Sequence, residues 1–251
     1  MTPSVPRVLA LVLGTLLISA GHAADLTVSA AASLGNALRE LAPRFEAANP
    51  GMRLQLNLGA SGALLQQIAK GAPVDVLVSA DQETMDQAQA QGLVQAAQRR
   101  NIVSNALVLV VPAGSANVPG NLADLARPVT RRIAIGVPAS VPAGRYARAA
   151  LQAAGIWVAI EPKLIGAQTV RQALDYVARA EVDAGFVYAT DAALLPGKVK
   201  LAFAVPTPTP IRYSAAPLRS SPNGAAAQRF VEFLRAPPAQ AVLATFGFGP
   251  P

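Results

Sequence analysis

The chain has no cysteine, and its one histidine, His22, falls within the first 24 residues. Residues 25–251 therefore offer neither thiol nor imidazole. That excludes Ser-His-Asp and Cys-His catalysis, thiolate redox chemistry and the commonest zinc sites. Carboxylate, lysine or tyrosine chemistry stays open, but an enzyme reading starts weak. Disulfides are excluded too, and a chain of this size can bury a core without them. There is no G-x-S-x-G elbow: Gly59-Ala60-Ser61-Gly62-Ala63 lacks the second glycine at the required place. After the first residues no apolar run is long enough to cross a bilayer.

What is present begins with a leader. Arg7 supplies a positive start, Val8 to Ile18 is apolar, and Gly21-His22-Ala23-Ala24 offers small residues for cleavage. Residues 1–24 read as a secretory signal peptide cut near Ala23 or Ala24, so the mature protein is expected to be exported. The remaining chain suits one large or two small domains, and a hydrophobic content of 52% is enough for real cores. The formal charge is +7. Its Lys and Arg residues are scattered, with no basic stripe interleaved with aromatics, so no nucleic-acid partner is expected. Mild attraction of anions to the whole surface is the plainer consequence.

Strand and helix patterns alternate. Leu26-Thr27-Val28 is an apolar, β-branched run, after which Leu34, Ala37, Leu38, Leu41 and Phe45 recur at helical spacing. Ser33 is thus placed at or near a helix N-cap, where unpaired N–H groups and the positive end of the helix dipole can receive an anion. A plain capping role competes with that reading. Arg53 to Leu58 alternates as a half-buried strand, followed by Ser61 at a second helix start that stops at Gly71. Val74 to Val78 is a third strand, and Asp81 is expected to cap a helix ending at Gly92. Ile102 to Val111 is too long for one buried strand, and a passage between domains is expected near Ser104-Asn105. Ile133 to Ile135, Lys163 to Ile165, Ala184 to Val187 and Val199 to Val205 are further strands, with helices opening at Pro142, after Thr169 and near Asp191. Pro206 to Pro210 is a rigid connector by which the chain returns, and two helices follow, Ala225 to Leu234 and Ala239 to Thr245. This is an α/β protein with mainly parallel sheets, in which ligands sit at the carboxyl ends of strands. Ser33, Ser61, Ala143, Val170 and Tyr188 all fall at such ends or at helix starts.

Five segments in order carry a resemblance. They are Ala30-Ala31-Ala32-Ser33-Leu34, then Lys70 to Asp75 with Ser79-Ala80-Asp81-Gln82, then Val141-Pro142-Ala143-Gly144, Val170-Arg171-Gln172-Ala173-Leu174, and Val187-Tyr188-Ala189-Thr190-Asp191. In these, and over nearly the whole chain after the leader, the protein resembles the periplasmic molybdate-binding proteins of bacterial molybdate ABC transporters. The resemblance implies a two-lobed periplasmic-binding-protein fold of class II type, with the ligand in the interlobe cleft. The lobes are expected at 25–105 plus 213–251 and at 106–212. It implies that the Ser33 and Ser61 hydroxyls, the Ala143 and Val170 main-chain N–H groups and the Tyr188 hydroxyl hold the oxyanion, touching molybdenum only through its oxygens. No cofactor is implied, since molybdate or tungstate is the transported ligand. The implied partners are a small oxyanion and a membrane permease, with the receptor itself a monomer.

The chemistry points the same way. A fully ionised tetrahedral dianion has no proton to give, so its site wants donors alone, whereas phosphate keeps a proton near neutrality and would use an acceptor. The contact positions hold hydroxyls and backbone N–H groups and no carboxylate. Another oxyanion, sulfate above all, is the alternative, and a secreted hydrolase using Ser33 or Ser61 is a third reading that lacks its histidine. Two departures from the family stand out: the loop Gly59 to Ala63 keeps one hydroxyl where the family often has several, and Arg145 follows Val-Pro-Ala-Gly. Arg145 is expected on a solvated helix surface, Arg171 as a solvent or lobe-packing residue one position from a backbone donor, and Asp191 as a helix N-cap. The lobes are expected to hinge near Ser104-Asn105 and Arg212-Tyr213.

Overall fold

The computed structural model describes residues 24–251. The leader assigned to 1–24 lies outside the described residues, apart from Ala24, which opens the first strand. In the described residues no helix is long and apolar enough to cross a membrane.

The chain starts with β1 (Ala24–Ala31), a 3-10 turn (Ala32–Leu34) and α1 (Gly35–Ala48). Next come β2 (Met52–Gly59), α2 (Ser61–Ala69), β3 (Val76–Ser79), α3 (Gln82–Ala90) and β4 (Arg100–Asn105). The long apolar run resolves into two strands: β5 (Leu107–Pro112) begins one residue after β4 ends and belongs to another sheet. Then follow β6 (Ile133–Gly136), α4 (Pro142–Ala153), α5 (Trp157–Ile160), β7 (Leu164–Ala167), α6 (Val170–Ala178), β8 (Ala184–Tyr188), α7 (Ala189–Ala192) and β9 (Val199–Ala204). After the proline-rich connector come β10 (Ile211–Pro217), α8 (Gly224–Arg235) and α9 (Pro237–Thr245). Helices α2, α3 and α4 are each followed by a glycine at positive φ, Gly71, Gly92 and Gly155, a conformation that side chains resist.

Two five-stranded sheets result, ordered β2-β1-β3-β10-β4 and β7-β6-β8-β5-β9. They share one plan. In each, a run of three parallel strands is followed by one reversed strand, which then pairs antiparallel with the edge strand. Four strands of each sheet therefore run one way. The reversed strand is the one that has just crossed from the other sheet, β10 in the first and β5 in the second. The two sheets with their helices form two lobes, joined by Asn105 to Leu107 and by the connector 205–210.

Both expected hinge positions differ. Ser104 and Asn105 are paired within β4 to Arg212 and Ile211, so the first break falls after Asn105. Arg212 and Tyr213 are already paired in β10 with Ser104 and Val103, and Tyr213 is fully buried. The ladder and the burial hold these residues, so the break between strands falls before them. In the first lobe α1, α8 and α9 cover one face of the sheet, where Phe45 meets Phe230 and Phe233 edge-on at 5.1 and 5.3 Å between ring centres. This is the packing expected of the Phe230, Phe233 and Leu234 face.

The start of α4 is fixed by contact rather than by a cap. A Cβ on Gly144 would stand 1.8 Å from Gly136 O, and one on Gly136 would stand 2.4 Å from Val141 Cγ1. The glycines let the first turn of α4 sit directly on the carboxyl end of β6, and so bring the Ala143 N–H to the cleft.

Candidate functional site

Ser33, Ser61, Ala143, Val170 and Tyr188 line one narrow cavity between the lobes, and its other lining residues are alanine, glycine, valine and proline. No carboxylate or amine side chain faces it. Four chain turns meet there: the 3-10 turn before α1 and the starts of α2, α4 and α6. Ala143 and Val170 belong to the first turns of α4 and α6, where N–H groups have no acceptor inside the helix. The positive ends of these helices add to the field in the cavity.

Ser33 is not a cap. It sits inside the 3-10 turn, the residue before the turn is Ala31, and no side chain caps it. The Ser33 hydroxyl lies 2.9 Å from the Tyr213 hydroxyl, 180 residues away in sequence. The capping rule loses here because a buried partner from β10 replaces the local backbone. Ser61 is the first residue of α2, and its Oγ accepts from Ala80 N at 3.0 Å. Tyr188 ends β8 and is fully buried, yet its hydroxyl has no partner. Burial raises its pKa well above the usual tyrosine value, so the hydroxyl keeps its hydrogen. A buried unpaired hydroxyl is unfavourable unless something polar meets it.

Three readings of charged residues change. Arg145 is not solvated. Its Nε and Nη2 lie 2.8 and 2.6 Å from Asp81 Oδ2, and Nη2 also donates to Thr84 Oγ1 at 2.7 Å. Asp81 does cap α3, as expected, through Oδ1 to Thr84 N at 3.2 Å. One carboxylate thus closes a helix with one oxygen and joins the lobes with the other. Arg171 likewise spans the cleft: Nη2 donates to Ser33 O at 2.9 Å and Nη1 to Asn36 Oδ1 at 3.1 Å. Its lobe-packing role stands and its solvent role does not, because its Nε is also 2.5 Å from Asp191 Oδ1. Asp191 is the third residue of α7, not its N-cap. It accepts from Tyr188 N at 3.3 Å and is fully buried. Burial lifts its pKa to about 6 against the opposing pull of Arg171.

Other residues of the site carry no local signal. Asn105, the last residue of β4, donates to Tyr213 OH at 3.2 Å and to Thr190 Oγ1 at 2.9 Å. The lobes also touch through the backbone, Gly62 N donating to Ser140 O at 3.0 Å, and a Cβ on Gly62 would stand 2.8 Å from that oxygen. A larger groove beside β9, lined by Val108, Ala192, Pro196 and Leu201 among others, is mostly apolar and gathers no comparable donors.

Two α/β lobes, two crossovers and a cleft lined with hydrogen-bond donors define a solute-binding protein that can hold a small polar ligand between its lobes. The chain belongs to the bacterial extracellular solute-binding protein family, whose model matches residues 26–249. It is 35% identical over 228 residues to the molybdate-binding protein ModA of Escherichia coli, covering 89% of this chain and 88% of that one. Among solved structures it is similar to the periplasmic molybdate-binding protein of Azotobacter vinelandii, with a TM-score of 0.76, 26% identity and coverage of 90% and 99%. The sulfate-binding protein SubI of Mycobacterium tuberculosis shares the fold at a TM-score of 0.81 and 21% identity, covering 90% and 87%.

Proposed function

We propose that this protein captures molybdate, and tungstate comparably, and hands it to the membrane permease of an ABC importer. The observation that carries the reading is the cavity itself: buried hydroxyls and helix-start N–H groups converge with no carboxylate among them, and the Tyr188 hydroxyl has no protein partner. In this reading Ser33 and Ser61 bind from a lobe comprising 25–105 plus 213–251. Ala143, Val170 and Tyr188 bind from a lobe comprising 106–212. The ion is held through its oxygens, no covalent chemistry takes place, and the receptor works as an exported periplasmic monomer, its leader cut near Ala23 or Ala24, without nucleic acid. Ser33 and Ser61 have no histidine to activate them, and their nearest polar partners are a tyrosine hydroxyl and a backbone N–H, which supports binding over hydrolysis.

Isothermal titration with molybdate, tungstate, sulfate and phosphate tests the reading. Molybdate and tungstate should bind tightest and phosphate weakest. Sulfate binding above molybdate would make this a sulfate receptor, and phosphate competing as well as tungstate would overturn the donor-only argument. Turnover of generic ester substrates would revive the hydrolase reading.

A further inference from the structure

We propose that Asn105 and Tyr213 form a hydrogen-bond relay that holds the Ser33 hydroxyl hydrogen toward the cavity and so biases the site against protonated oxyanions. The proposal rests on the functional reading above and names the positioning residues behind it.

The direction of each bond follows from counting hydrogens. Ala106 N donates to Asn105 Oδ1 at 2.9 Å, which fixes the amide: the oxygen faces Ala106 and the NH2 group faces the other way. That NH2 has two hydrogens and two partners, Thr190 Oγ1 at 2.9 Å and Tyr213 OH at 3.2 Å. The Tyr213 oxygen therefore accepts. Its own single hydrogen has one partner within reach, Ser33 Oγ at 2.9 Å. The reverse arrangement, with Ser33 donating, would leave the Tyr213 hydrogen buried and unpaired. Tyr213 is fully buried, and burial keeps it protonated. Ser33 thus receives a hydrogen from the protein and has its own left for the cavity. Ser61 is wired alike, since its oxygen accepts from Ala80 N. A dianion without protons meets only hydrogens. A hydrogen-bearing ion such as hydrogen phosphate finds no group turned to accept its proton.

The test is a double-mutant cycle of Asn105→Asp with Ser33→Ala, read by titration with tungstate, molybdate and phosphate. Asp at 105 still accepts from Ala106 N–H but takes a hydrogen where the amide gave one. Tyr213 then donates to position 105, Ser33 donates to Tyr213, and the cavity loses that hydrogen. Tungstate and molybdate affinity should fall about tenfold to a hundredfold, with phosphate falling less, so that the preference narrows. In the Ser33→Ala background Asn105→Asp should add little. Tyr213→Phe breaks the relay without adding charge; it should cost a few-fold, again only when Ser33 is present. Equal losses in both Ser33 backgrounds, or an unchanged tungstate-to-phosphate ratio, would mean a charge or packing effect and overturn the relay. If the unsubstituted protein bound none of the ions, the functional reading would fall first and the relay with it.

Discussion

The two lobes are built on one strand plan yet furnish the cavity in different ways. The first presents side-chain hydroxyls that are already tied into the protein: Ser33 to Tyr213, Ser61 to Ala80 N. The second presents backbone N–H groups at helix starts and one hydroxyl, Tyr188, tied to nothing. Both arginines that span the cleft, Arg145 and Arg171, also come from the second lobe. The first lobe is therefore prepared in advance, its donors aimed by other residues. The second carries an unmet hydroxyl and the means of gripping its neighbour. A side chain oriented from within loses little entropy when the ligand arrives, and an unpaired buried group gains most from it.

The contrast can be broken most sharply at two glycines. Gly144→Ala puts a methyl against Gly136 O inside the second lobe, and despite the usual helical gain from alanine should lower urea stability by about 3 kcal/mol. Gly62→Ala meets Ser140 O of the opposite lobe. It should leave stability nearly unchanged and hold the lobes apart, seen as a larger radius of gyration with molybdate present. A large stability loss in Gly62→Ala would mean that the lobes fold as one unit.

Next in size are the hydroxyls. Ser33→Ala and Ser61→Ala should each weaken molybdate binding by about tenfold to a hundredfold, the worth of hydrogen bonds to a charged group. Each should also lower thermal stability, because a protein donor loses its acceptor. Tyr188→Phe should weaken binding comparably while leaving the melting temperature equal or higher, since nothing in the protein loses a partner. A Tyr188→Phe protein that melts lower would show that its hydroxyl is tied after all.

Arg145→Met comes third. It removes the bond to Asp81 across the cleft, so affinity should drop about tenfold and scattering profiles should shift toward the open form. Unchanged profiles would demote this pair to a passive contact. The smallest effect is a pH dependence at Asp191. Its folded pKa is raised to about 6 from the ordinary 3.8, so the folded protein takes up a proton before the unfolded one does. Its contribution is fully present below the unfolded value and fades as pH rises through about 6. The stability of the natural protein relative to Asp191→Asn should therefore rise, by less than about 1 kcal/mol, from about pH 7 to pH 5.5. A falling difference would reverse the assignment.

The strand–helix alternation, the glycine stops and the helix starts were legible because each is a local pattern of a few residues. The five residues gathered at the cavity were legible because ordered motifs mark the ends of strands. The relay and the clamps were not. Tyr213 lies 180 residues from Ser33, and Arg145 lies 64 from Asp81. No periodicity links such positions. Where a local rule was applied to a group with a distant partner it misassigned it: Arg145 as a solvated arginine, Asp191 as a cap rather than a buried counter-charge; at Ser33 the competing capping role gives way to the bond with Tyr213. Asp81, whose partner is three residues away, was read correctly as a cap and only its second role was hidden.

The placement of β10 between β3 and β4 sets an order of assembly. As the chain leaves the ribosome, β5 to β9 arrive together, and the second sheet has all its strands by residue 204. The first sheet starts earlier and finishes last, because β4 joins the other strands of its sheet only through β10. Until residues 211–217 arrive, the lobe that begins the chain cannot close its sheet, and Ser33 has no tyrosine to aim it. A nascent chain stopped before Ile211 would have a finished second lobe and every contact position of the cavity, yet no competent site. Cargo capture thereby waits for residues 211–217.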